Sequence, residues 1–78
     1  MRQVIREIEL RRITPNLRIV CTSECIEEIA QDIRCRGQQE PIHIWFAHDS
    51  FRILDGEKRW RAFKMIGMKT IRAVIAEP

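Results

Sequence analysis

The chain has no tyrosine, and its aromatic residues, three phenylalanines and two tryptophans, make up only 6% of it. Glycine and proline are equally scarce, three of each, which excludes a collagenous or low-complexity chain. No stretch approaches the roughly eighteen consecutive apolar residues of a membrane-spanning helix. The opening MRQVIREIEL mixes charge with hydrophobes where a signal peptide would carry an apolar block. A cytoplasmic location without a membrane partner is the expectation. Three cysteines, Cys21, Cys25 and Cys35, are an odd number at C-x3-C-x9-C spacing, which suits neither a paired disulfide framework nor a zinc knuckle, so they read as reduced thiols. His43 and His48 have no third metal ligand near them in sequence and read as a solvated pair. No Ser/His/Asp or Cys/His nucleophile arrangement is present.

What the chain does have is 45% apolar and 32% charged residues in 78, a balance that fits one soluble globular domain spanning residues 1–78. Its net charge of +3 and pI near 9.1 favour polyanions without naming one. The distribution is more specific. Lys58, Arg59, Arg61, Lys64, Lys69 and Arg72 follow one another with no acid between Lys58 and Glu77, so the basic patch belongs to the second half.

Residues 3–10 alternate loosely, with Val4, Ile8 and Leu10 as inward positions of an opening strand, and Pro15 with Asn16 marks a turn. Ser23 is the expected N-cap of a helix whose first turn holds Glu24, Glu27 and Glu28 and which stops at Gly37. On that helix Ile26, Ile29, Ala30 and Ile33 fall in one arc, leaving Cys35 on the wet face and Cys25 at the edge of the dry one. Pro41 opens the alternating strand PIHIWFA, AHDS turns the chain, and FRIL repeats the alternation, as in a hairpin. A second helix over about Gly56 to Ile66 ends at Gly67, and TIRAVIA reads as a last strand. This order predicts a compact α+β domain, a mixed sheet with two main helices.

The second helix poses a problem. Trp60, Ala62, Phe63 and Ile66 form its dry arc, and Arg59 falls inside the same arc. A buried, unpaired guanidinium would cost several kcal/mol, about as much as a small domain has in total. Arg59 must therefore meet an anion. One candidate is Asp55, which could cap the helix and pair with Arg59; the other is a phosphate at the unpaired amides of Gly56, Glu57 and Lys58. Gly56 would let such a ligand approach the main chain. Glu57 has three readings: a surface ion pair with Arg61, a metal ligand, or a base that accepts a proton from a substrate hydroxyl. In the loop RGQQEP, Gly37 and Pro41 are explained as helix stop and strand opener. Gln38 and Gln39 offer amides that could read a base edge, provided the loop lies near the second helix start. For Trp45 and Trp60, packing is the expectation over base stacking.

The stretches IEEIAQDIRCRGQQEPIHIW and FRILDGEKRWRAFKMIGMKTIRAVIAE resemble the N-terminal domain of ParB-type partition proteins, within the wider ParB/sulfiredoxin superfamily, from about Ile8 to Glu77. The most specific element, DGEKRWRAFKMIG, is similar to the family's G-E-R-R-x-R-A signature at Gly56, Glu57, Lys58, Arg59, Trp60, Arg61 and Ala62. The family's loop of glycine followed by proline and a strand is matched by Gly37 through Pro41.

The resemblance implies a nucleotide pocket lined by Gly37, Gln38, Gln39, Pro41, Gly56, Glu57, Lys58, Arg59 and Arg61, binding CTP with magnesium and coupled to a homodimeric clamp on DNA. Lys58 departs from the signature, keeping the charge without the planar fork. In TPNLRIV the family's Gln-Pro-Arg core is missing, which leaves Arg18 as the substitute phosphate ligand. The family's downstream Glu-Asn metal motif, helix-turn-helix and dimer segment fall outside these residues, so hydrolysis, operator recognition and clamp closure are not implied for them. Sulfiredoxin chemistry is disfavoured, because that branch carries its reactive cysteine where Glu57 stands. Two alternatives remain. One is a CTPase, phosphotransferase or nuclease of the superfamily with Glu57 as its catalytic residue; the other is a basic DNA- or protein-binding module in which Arg59 pairs with Asp55.

Overall fold

The computed structural model describes residues 4–15 and 22–76. In chain order these form β1 (Ile5–Glu9), a 3₁₀ turn (Leu10–Arg12), β2 (Ile13–Thr14), α1 (Ser23–Arg36), β3 (Ile42–Ala47), β4 (Ser50–Asp55), α2 (Glu57–Met65) and β5 (Thr70–Ala76). The five strands make one mixed sheet in the order β1-β5-β3-β4-β2, antiparallel except for the β3/β5 and β2/β4 pairs.

The alternation within β3 decides how the sheet is covered. Ile42 and Ile44 stand on the same face as Ile53 of β4 and Ala73 of β5, and with Ile8 and Ile71 they pack under Trp60 and Phe63 of α2. Ile42, Ile44 and Ile71 are completely buried, each contributing about 2 to 3 kcal/mol of transfer free energy. Phe46 continues this face but lies at the edge, 53% exposed, with its ring set edge-on to Phe51 at 5.1 Å. Val4, expected inward, is exposed because β1 begins only after it.

The arc expected for α1 faces α2. Ile26 and Ala30 are buried against Ala62, with Ile29, Ile33 and Ile66 half-buried around them. The N-cap is Thr22 rather than Ser23: its hydroxyl accepts from the Cys25 amide at 3.2 Å, and Ser23 is already the first helical residue. Gly37, at φ 74°, ends the helix by donating its N–H to the Ile33 carbonyl at 2.7 Å. Cys35 is exposed and Cys25 half-buried, both free.

The β3–β4 hairpin turns through His48 and Asp49, both at positive φ as a two-residue turn of this hand requires. His48 therefore sits at an exposed turn tip, and Trp60 is a core residue whose indole N–H donates to the Leu10 carbonyl at 3.4 Å. Among the described residues no helix is long and apolar enough to cross a membrane.

Candidate functional site

β4 delivers the chain to Gly56, and α2 starts at once. The first intrahelical bond runs from the Trp60 amide to the Gly56 carbonyl at 3.0 Å, so the amides of Glu57, Lys58 and Arg59 precede the helical ladder. Gly56 adopts φ 109°, and a Cβ placed there would lie 2.5 Å from Ile42 Cγ2. Its lack of a side chain is therefore set by the strand behind it. The expected reason, close approach of a ligand, is not needed to explain this glycine.

Arg59 is not sealed in the core. Its side chain is 38% exposed at the rim of the dry arc, and its Nη2 lies 3.5 Å from Oε2 of Glu40, in the loop between α1 and β3. The carboxylate that neutralises it is thus not Asp55, which is exposed and places its own side chain in the neighbouring cleft. The wheel put Arg59 inward because one helical residue at the arc's edge can tilt toward either side, and its long stem lets the head group reach water.

This ion pair joins the two stretches singled out in the sequence. It borders a cleft of about 510 Å³ whose walls are Glu28, Ile29 and Asp32 of α1, Glu40 of the loop, and Asp55, Lys58 and Arg59 at the α2 start. That volume is within the roughly 300 to 1,000 Å³ usual for small-molecule sites. Larger clefts of about 650 and 640 Å³ lie elsewhere. The first is between the 3₁₀ turn and the end of α2, the second below the end of α1, and neither contains residues 56–59.

The remaining residues separate into those beside the cleft and those used for construction. Lys58 is exposed in the cleft. Gln38 serves the main chain: its amide donates to the carbonyls of Arg72 and Glu40, each at 2.9 Å, and accepts from the Arg72 amide at 2.8 Å. The Arg72 guanidinium in turn donates to the Gln38 carbonyl. Gln39 donates to the Arg36 carbonyl at 2.9 Å, capping the end of α1. Neither glutamine amide is held toward the Arg59 cleft, and Gly37 and Gln38 line the cleft below α1 instead. Pro41 is half-buried at the start of β3.

Glu57 pairs with Arg61, as one of its readings required, but the pair is not a surface one. Its carboxylate is only 3% exposed and accepts from Arg61 Nε at 3.3 Å, while Arg61 itself is 27% exposed. The Glu57 carboxylate is thus engaged by Arg61 and nearly closed to water in this arrangement. Arg18 lies outside the described residues, as do Asn16 and Cys21. Sequence reasoning missed Glu40, Glu28 and Asp32. The signal for the last two was their i,i+4 spacing on the wet face of α1; for Glu40 it was an acid placed just before Pro41. No group of three or more His, Cys, Asp or Glu among the described residues is arranged to hold a metal ion.

The chain matches the model of the ParB N-terminal domain over residues 1–78. It belongs to that family. It is 36% identical to the nucleoid occlusion protein of Halalkalibacterium halodurans over 76 residues, covering 94% of this chain and 27% of the relative. The ParB N-terminal domain thus spans about a quarter of that relative's length. Among solved structures it is similar to sulfiredoxin from Arabidopsis thaliana, with a TM-score of 0.86 and 26% identity over 96% of this chain and 86% of the other. It is also similar to a C-terminally truncated chromosome-partitioning protein ParB from Caulobacter crescentus complexed with CTP-gamma-S, with a TM-score of 0.85 and 28% identity over 96% of this chain and 45% of the other. The two likenesses bear out the ParB/sulfiredoxin-like mixed sheet with two main helices.

Proposed function

We propose that this ParB N-terminal domain is the nucleotide-binding regulatory module of a DNA-partition or nucleoid-occlusion protein, with CTP as its ligand and the phosphates at the start of α2. The observation that carries the reading is the meeting of Arg59 and Glu40 across the cleft. It puts a half-exposed guanidinium beside the first amides of a helix, at the edge of a space large enough for a nucleotide. Similarity to a ParB that holds CTP-gamma-S favours CTP over other nucleotides.

Lys58 and Arg59 supply the positive charge on the phosphate side. The carboxylates of Glu28, Asp32 and Asp55 on the other walls are acceptors suited to the amine of a base. A magnesium ion at such a site would be held mainly by the nucleotide's own phosphates with one or two carboxylates, and no role here depends on one. Glu57 holds Arg61 in place rather than taking a proton, so the domain binds and signals without needing turnover. DNA contact and homodimer formation are assigned to the longer parent protein.

Calorimetric titration with CTP, ATP and GTP, with and without magnesium, on the wild type and Arg59→Ala tests the reading. CTP should bind, and Arg59→Ala should weaken it by about tenfold or more, the loss expected for a charge-assisted bond to phosphate. Absence of binding by any of the three nucleotides, or equal affinity in both proteins, would overturn it.

A further inference from the structure

We infer that Glu40 is a built-in competitor for the anion site: its carboxylate occupies Arg59 when no ligand is bound, and a phosphate must displace it. The inference rests on the proposed nucleotide reading and deepens it by assigning the residue that sets affinity. Its geometric basis is the 3.5 Å ion pair, in which the Arg59 side chain is 38% and the Glu40 side chain 72% exposed. Water reaches both partners, so the pair is weak enough to be exchanged for a better anion. A phosphate offers more charge and more acceptor oxygens than one carboxylate, and a guanidinium fork suits it.

The exchange requires little of the protein. The Glu40 main chain is fixed, because its carbonyl accepts from the Gln38 amide, which is itself bonded to both main-chain groups of Arg72. Only the Glu40 side chain has to swing outward, and it already lies mostly in solvent. The loop can thus yield the cation without unfolding. Glu40 then remains beside the bound phosphate as a like charge and lowers affinity a second time.

Glu40→Gln removes the competing charge and keeps the shape. The test is calorimetry at low salt with CTP and with inorganic tripolyphosphate, on wild type, Glu40→Gln and Glu27→Gln. Glu27 is exposed on α1 outside the cleft and controls for the change in net charge. Glu40→Gln should bind both ligands about three- to tenfold tighter, with the gain shrinking as salt is raised, and Glu27→Gln less than about twofold tighter. If wild type binds CTP and Glu40→Gln gains nothing, the competitor is overturned while the nucleotide reading stands. A gain with CTP but not with tripolyphosphate would place Glu40 at the base and overturn it as well. If no protein binds CTP or tripolyphosphate, both readings fall together.

Discussion

Gly56 and Ile42 touch so closely that no side chain fits between them: a Cβ on Gly56 would come within 2.5 Å of Ile42 Cγ2 and 3.2 Å of Ile42 Cα. Ile42 is wholly buried, so it has no room to retreat, and the φ of 109° at Gly56 adds backbone strain for any other residue. Gly56→Ala should therefore destabilise the fold by about 2 to 4 kcal/mol, read as a lower midpoint of thermal or urea unfolding. Unchanged stability with lost nucleotide binding would instead show that the glycine serves ligand approach.

The buried Glu57–Arg61 pair makes a different demand. Cutting away Glu57 empties a site that water barely reaches and takes one charge-assisted bond from Arg61, which is itself 27% exposed, and such losses run to about 1 to 3 kcal/mol. Glu57→Ala should show a cost of that order in urea unfolding, and Glu57→Gln, which keeps the volume and an acceptor, about half of it or less. A folded Glu57→Gln should still bind CTP. If it binds but has lost a nucleotide-hydrolysing activity that the wild type possesses, Glu57 is catalytic and the structural assignment is wrong.

Periodicity located both helices and four of the five strands because each of those segments buries one face and wets the other. The two-residue β2 has no period to read, and its parallel pairing with β4 depends on a chain path that pattern cannot supply. At the site, the signature around Arg59 and the loop before Pro41 were both legible, and the Arg59–Glu40 contact brings the two together. The partner itself was not legible, since Glu40 and Asp55 are equally acidic and only the fold brings one of them to 3.5 Å. The packing demand on Gly56 was hidden for the same reason. A glycine before a helix looks like an opening for ligand until the strand behind it is in place. Gln38 looked free to read a base because nothing in the sequence places Arg72 beside it.

The start of α1 offers a sharper contrast between adjacent residues. Thr22 caps the helix with its hydroxyl, whereas Ser23 is exposed and inside it. Thr22→Ala should cost about 1 kcal/mol, while Ser23→Ala should be neutral or slightly stabilising, since alanine is the better helix former. Urea midpoints of the two variants check the order; the reverse order would return the cap to Ser23.

Gln38 links the loop to the sheet through both edges of one amide, imitating a strand residue opposite Arg72. Gln38→Ala would leave the Arg72 N–H and C=O without these partners and release the loop that carries Glu40, at a cost of about 1 to 3 kcal/mol. Hydrogen exchange provides the more specific reading. The Arg72 amide should exchange much faster in Gln38→Ala, while amides in the middle of α1 keep their protection, because the damage is local to the link. The substitution Gln38→Glu tests the donor separately, since it retains an acceptor for the Arg72 amide but presents a carboxylate to the Arg72 and Glu40 carbonyls. It should destabilise the loop nearly as much as alanine does, and a Gln38→Glu protein as protected as wild type would mean that the donated bonds contribute nothing.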